Sequence, residues 1–263
     1  MEPEVSLPQA LTIAGFDPFS FAGFSADLRT FSLLGVAGMA ASTALTVQSP
    51  NSFSYSEPVE GRVLWDQVQS ILNNVGPVPL KIGLVPSRDL LVVISDLIDF
   101  FAAQTVVLDP VVSATAGSGL SVLDVSTLAD GLFSRCSIVT PNCLEANALC
   151  HRSIQNQSEQ TDAAKHIFDR FGCWVLLKGG HLSASSFTTD ILYTGSEVIN
   201  FSRLTESVGS VHGSGCFLSS AIVGFAARGF NLSDAVHRAE EFTTEAFMNP
   251  RFASGHPLLW PVV

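Results

Sequence analysis

Five short segments of the chain set reactive residue types beside glycine or proline, where backbone and side chains can both reach a ligand. In Val211-His-Gly-Ser-Gly-Cys216, Gly213 and Gly215 bracket Ser214, and Cys216 opens an apolar run suited to a helix. Glycines let backbone N–H groups approach a phosphate closely, and a helix N-terminus adds partial positive charge. The same field would lower the pKa of Cys216 and make it a proton acceptor. The alternative is a core helix that merely begins with a buried cysteine. Lys178-Gly-Gly-His181 sets an ammonium before Gly179 and Gly180, which would leave room for a nucleotide. Its alternative is an exposed lysine ahead of a tight turn. In Thr140-Pro-Asn-Cys-Leu-Glu145, Asn142 and Glu145 suit a water-bridged magnesium ion or a helix cap, and the two roles are compatible. Asp109-Pro-Val-Val supplies a strand-end acid or a turn former. The fifth segment, Gly15-Phe-Asp-Pro-Phe-Ser-Phe-Ala-Gly23, has glycine at both ends and phenylalanine between.

These segments need a scaffold, and the pattern around them alternates short apolar runs with longer helical ones. Residues 10–14, 43–47, 79–83, 105–109, 137–140 and 173–177 read as short strands, the first broken by Gly15. Helical spacing marks 26–34, 63–75, 87–102, 161–171, 215–228 and 233–247. Residues 191–193 and 198–201 flank Thr194-Gly195-Ser196 as a hairpin. The polar stretch 49–60 reads as a loop that would cover a site. With no linker and no internal repeat, residues 1–263 are expected to form a single α/β domain with a mostly parallel sheet. Four of the five segments follow strands, where ligands gather in such sheets.

Composition excludes several classes. With 47% hydrophobic and 14% charged residues the chain is no disordered segment. A net charge of −11 argues against a surface that tracks a nucleic-acid backbone, though not against a nucleotide held by backbone N–H groups. The most apolar stretch, 90–103, carries Asp96 and Asp99 and is too short to span a bilayer. Cys136, Cys143 and Cys150 recur every seven residues, but without a CxxC pair they are read as free thiols rather than as a zinc site. Free thiols and an opening Met1-Glu2-Pro3-Glu4 without positive charge lead to the expectation of a cytoplasmic protein.

Taken in order, the motifs resemble one family. Ala10-Leu-Thr-Ile-Ala-Gly-x-Asp-Pro18, Ala22-Gly, Ala26-Asp-Leu-Arg-Thr-Phe31, Thr43-Ala-Leu-x-x-Gln48, Lys81-Ile-Gly83, Asp109-Pro-Val111, Thr140-Pro-Asn-x-x-Glu-Ala146, Lys178-Gly-Gly-His181 and His212-Gly-Ser-Gly-Cys216 are similar to the hydroxymethylpyrimidine/phosphomethylpyrimidine kinases of thiamine biosynthesis. The match runs from Ala10 to the last helices. It implies a ribokinase-like, three-layer α/β/α fold, ATP and Mg²⁺ use, a small aromatic alcohol as substrate and a homodimer. It implies an anion hole at Gly213, Ser214 and Gly215 with Cys216 as the proton-accepting thiol. Gln48 would bond the aminopyrimidine, with Gly15, Ala22, Asp27 and Val111 around it. Asn142, Lys178, Gly179, Gly180 and His212 would serve ATP, and Glu145 and Asp109 the metal.

The departures concentrate at one end. The family loop usually reads Gly-Ser/Thr-Asp-Pro-Ser-Gly-Gly-Ala-Gly, whereas this chain has Phe16, Phe19, Ser20 and Phe21, with Phe24 following. Rings at these positions follow no single helical or strand period, so at least one is expected to line the pocket or to lie exposed. Val211 replaces a common threonine, and Thr115-Ala-Gly117 stands where a basic residue often follows the Asp109 segment. The resemblance therefore leaves three outcomes: an aminopyrimidine kinase, a pyridoxal-type kinase, and a degenerate member that binds without catalysis.

Overall fold

Leu11 and Ile13 alternate with Ala10 and Thr12 along the first strand, and the two sets feed different cores. The computed structural model describes residues 6–50, 52–102, 105–111, 121–180, 187–204, 211 and 213–261. Its strands are β1 (Gln9–Phe16), β2 (Ala37–Ser49), β3 (Ser52–Pro58), β4 (Leu80–Ile82), β5 (Val106–Leu108), β6 (Ile138–Val139), β7 (Trp174–Leu177), β8 (Phe187–Tyr193), β9 (Val198–Leu204), β10 (Arg251–Ala253) and β11 (His256–Leu258). Its helices are α1 (Gly23–Leu33), α2 (Gly61–Val75), α3 (Arg88–Phe101), α4 (Val125–Leu132), α5 (Cys143–Cys150), α6 (Gln157–Phe171), α7 (Ser214–Ala227) and α8 (Leu232–Met248).

Among the described residues one nine-stranded sheet runs in the order β3-β2-β1-β4-β5-β6-β7-β8-β9. Its middle, from β2 to β7, is parallel, and β3, β8 and β9 join antiparallel at the edges. Leu11, Ile13, Leu80, Ile82, Val106, Leu108, Val139, Val175 and Leu177 pack under α2 to α6. Ala10, Val107, Ile138, Leu176 and Leu192 pack under α1, α7 and α8. The result is the expected three-layer α/β/α sandwich of ribokinase-like type. Helix starts follow local chemistry: Ser87, Asp124, Asn156 and Asn231 each accept an N–H from the first turn of their helix.

Several elements differ from the sequence-based expectation. β1 continues through Gly15 to Phe16, because it keeps pairing with β2 across an irregularity between Ala14 and Phe16. The stretch 49–60 is mostly β3, an exposed edge strand whose Val47–Tyr55 and Leu45–Glu57 pairs extend a long hairpin. Its serines hid an alternation with Phe53 and Tyr55. α4 and the small β10–β11 hairpin were not anticipated. No helix among the described residues is long and apolar enough to cross a membrane.

Candidate active site

A cleft of about 370 Å³ opens beyond the carboxyl ends of the parallel strands, between them and the start of α7. Each strand delivers one part of it. β1 ends in Phe16, β2 carries Gln48 next to its last residue, Asp109 and Lys178 follow β5 and β7 directly, and Asn142 lies three residues beyond β6. Gly15, Ala22, Val111, Glu145, Gly180, Gly213, Ser214, Gly215 and Cys216 border the same space. Thus sequence positions far apart converge as their motifs suggested, on the side where a parallel sheet exposes its loops.

The charged centre is a lysine–aspartate pair. Lys178 Nζ donates to Asp109 Oδ1 at 2.8 Å, with Lys178 15% and Asp109 2% exposed. Asp109 is therefore a strand-end acid, further held by Thr140 Oγ1 at 3.2 Å and Ser219 Oγ at 3.4 Å. Burial pushes its pKa up, but Lys178 and then Lys81 overcome this and hold the carboxyl below the usual range. Burial likewise disfavours the Lys178 cation, and Asp109 with Glu145 more than restores it. The ammonium is no exposed turn lysine.

Gly213 is the N-cap of α7, and its φ of +80° is a left-handed conformation. A Cβ there would lie 1.8 Å from the Phe21 carbonyl oxygen, so the helix start rests on the 17–24 loop. At Gly215 a Cβ would come within 2.9 Å of Lys178 Nζ, so the missing side chain keeps the space between helix start and ammonium open. Ser214 N donates to the Val211 carbonyl at 3.3 Å, and Gly213 and Gly215 on either side of it leave the helix start open toward the lysine, an arrangement suited to an anion cradle. Val211 is buried against Phe217, Ala246 and Leu259, so its methyls anchor the segment that leads into the cradle.

Three expectations need correction. The helix field does not activate Cys216: burial outweighs Lys81 and raises its thiol to about 11, so it is protonated at neutral pH. Asp27 does not border the cleft. It is wholly buried beneath it, where Lys81, Thr12 and Ser220 donate to its carboxylate. Gly179, unlike Gly180, does not border the cleft; it packs on the Thr189 carbonyl of β8 and donates its N–H to Asp190 Oδ1 at 2.7 Å. His212, His181 and Thr115-Ala-Gly117 lie outside the described residues.

Asn142 and Glu145 form a reciprocal capping box on α5, with Asn142 N donating to Glu145 Oε2 at 2.7 Å and Glu145 N to Asn142 Oδ1 at 2.9 Å. Burial raises the Glu145 carboxyl to about 8. It borders the cleft beside Lys178, so a bound cation would find an oxygen donor there that it could ionise.

The loop after β1 is organised by Asp17, a residue to which the sequence reading gave no role. Its carboxylate accepts the N–H groups of Phe19, Phe21 and Ala22 at 2.9, 3.0 and 2.9 Å. The phenyl rings then take separate places, as their irregular spacing required. Phe21 is buried and meets His256 edge-on, Phe19 is 48% exposed, and Phe16 borders the cleft with Phe24 stacked on it. Lys81 was quoted in a motif but given no function; a lone lysine inside the apolar Leu80-Lys-Ile82 strand was the available signal. Asp190 and Arg203, paired at 2.6 Å on β8 and β9, also border the cleft and carry no comparable signal.

A mostly parallel sheet between two helical layers, with a glycine-opened helix start facing a lysine at the strand ends, belongs to the class of α/β proteins that hold an anionic small molecule beyond their strand ends. The comparisons narrow this class. The phosphomethylpyrimidine kinase family model matches residues 17–258. The hydroxymethylpyrimidine/phosphomethylpyrimidine kinase of Bacillus subtilis is 31% identical over 254 residues, 96% of this chain and 94% of that one. A phosphomethylpyrimidine kinase structure from Clostridium difficile superposes with a TM-score of 0.79 at 29% identity, covering 91% of this chain and 99% of that one. The pyridoxal kinase of Staphylococcus aureus, in complex with AMP-PCP and pyridoxal, gives a TM-score of 0.84 at 26% identity, covering 97% of this chain and 93% of that one. The chain belongs to the phosphomethylpyrimidine kinase family and is a phosphotransferase.

Proposed function

We propose that the chain, acting as one kinase domain, phosphorylates 4-amino-5-hydroxymethyl-2-methylpyrimidine, its monophosphate, or both, with ATP as donor. The observation that carries this reading is one cleft that joins a glycine-opened anion cradle and Lys178 to Gln48 and Phe16. In the transfer the substrate oxygen bonds to the terminal phosphorus of ATP as the bond to the ADP oxygen breaks, and the hydroxyl proton is released to the water of the cleft. Such a reaction asks the protein for positioning and charge neutralisation more than for covalent help. Gly213, Ser214 and Gly215 offer backbone N–H groups to the phosphates, and Lys178 offers its ammonium. Asn142 and Gly180 would line the path of the nucleotide, and Gln48, Ala22, Gly15 and Val111 the heterocycle. The Cys216 thiol, being protonated, orients the hydroxyl rather than taking its proton at the outset. Glu145 and Asp109 would hold Mg²⁺ through water, and the ion would supply further neutralisation of phosphate charge when bound.

The pyridoxal kinase neighbours support a second reading, in which a pyridine alcohol is the substrate. One coupled assay of ADP release with the aminopyrimidine, pyridoxal, pyridoxine and pyridoxamine decides between them. Turnover of the aminopyrimidine is expected to be the fastest; no turnover of any of the four by folded, ATP-binding protein would leave only a degenerate binder. We further infer a cytoplasmic homodimer. Its support is the free state of all five cysteines and the exposed Leu45, Val47 and Tyr55 on the β2–β3 hairpin. Light scattering is expected to give twice the chain mass.

A further inference from the structure

One wall of the cleft is aromatic and unusually well braced. Phe16 ends β1, is half-buried and borders the cleft near Gln48. Phe24, in the first turn of α1, lies against it with ring centroids 5.4 Å apart and planes 30° off parallel. Thr46 Oγ1 donates to the Phe16 carbonyl at 2.7 Å, and the strand pairs Phe16 with Leu45. On its other side the chain enters the turn that Asp17 ties down through three N–H groups. Backbone and ring are therefore fixed before any ligand arrives.

We propose that Phe16, backed by Phe24, is a specificity-determining residue: the stacking face for the flat ring of the substrate. The inference rests on the kinase reading above and adds what selects the alcohol. A planar, electron-poor heterocycle gains from an offset or edge contact with a phenyl ring at centroid distances of about 4.5–7 Å. A saturated polyol has no such face to offer. Because the wall is held by hydrogen bonds on both sides, no ordering cost is charged against the contact. A contact made equally in the bound substrate and in the transition state changes KM and leaves kcat alone.

The test measures kcat and KM for 4-amino-5-hydroxymethyl-2-methylpyrimidine in the wild type and in Phe16→Ser, Phe16→Trp and Phe24→Leu, with calorimetric Kd values alongside. Phe16→Ser is expected to raise KM and Kd about 2- to 12-fold with kcat within about twofold. Phe16→Trp should restore both, and Phe24→Leu, which loosens the backing but keeps apolar volume, should give a smaller rise. Unchanged or lower KM and Kd in Phe16→Ser would overturn the proposal, since the ring would then be idle or obstructive. So would a Phe16→Trp variant as weak as Phe16→Ser. Wild-type turnover tests the kinase reading separately; where it failed, the Kd ratio would still decide the role of the wall.

Discussion

The molecule builds the same four-residue arrangement twice. Under the cleft, Asp27 accepts from Lys81, from Thr12 of β1 and from Ser220 of α7. At the cleft, Asp109 accepts from Lys178, from Thr140 beyond β6 and from Ser219 of α7. Each quartet has one threonine, one lysine, one aspartate and one of two adjacent serines on one helix. They differ in access. Both side chains of the Lys81–Asp27 pair are 0% exposed, whereas Lys178 keeps 15% of its surface. The sealed pair has its charge satisfied internally and holds α1 and α7 to the sheet. The open pair has a lysine with a face left for a ligand. Identical chemistry thus braces the layers where it is closed and, where it is open, leaves a lysine face toward the cleft, for which phosphate handling is the proposed role.

The comparison breaks most sharply at the lysines. Lys81→Met should cost about 3–5 kcal/mol of stability, because it leaves Asp27 as an uncompensated buried charge. Urea denaturation checks this, and adding Asp27→Leu should recover most of the loss; a cost below about 1 kcal/mol would end the division of roles. Lys178→Ala should lower kcat by about 10²–10³-fold, the usual scale for one electrostatic donor to a transition state. A loss under tenfold in steady-state kinetics would mean that the open pair is also structural.

The serines sharpen the contrast at lower cost. Ser220→Ala removes a 2.8 Å bond to Asp27 and should destabilise by about 1.5–3 kcal/mol. Ser219→Ala should cost less, about 0.5–1.5 kcal/mol, since its hydroxyl is 3.4 Å from Asp109 and already bonds the Gly215 carbonyl at 2.9 Å. The last effect is read as a pH dependence rather than as a single energy. Glu145 has its pKa raised from 4.5 to about 8, so the folded state binds its proton more tightly than the unfolded one. Its contribution is complete below about pH 4.5 and is lost as pH rises toward 8. Glu145→Gln should flatten the slope of the denaturation midpoint across that window.

Much of the site was legible because glycines, prolines and strand ends leave local marks. Gly213-Ser-Gly215, Lys178 and Asn142-x-x-Glu145 sit where strand and helix periods place them, and the capping box on α5 could be read from spacing alone. What was not legible depends on cover from distant segments. Cys216 sits at a helix start, which argues for a low pKa, but desolvation by the surrounding residues outweighs that field. Asp27 sits beside site residues in sequence, yet its helix buries it behind Lys81, which alone of the two reaches the cleft. β3 was missed because an exposed edge strand needs no apolar face, so its serines resembled a loop.

The bond from Ser220 to Asp27 joins residues 193 positions apart. A ribosome adding about 5–20 residues per second would take about 10–40 s to cover that interval. From residue 82 onward, most of that interval, the nascent chain holds β1, α1 and β4 but lacks the helix that completes their buried charges. The opposite layer, α2 to α6, has all of its fully buried core residues by Leu177 and can close early. Synthesis of this protein thus proceeds with one face of its sheet finished and the other waiting in water, and a transcript cut short before α7 yields a half-covered sheet for the cell's quality control to remove.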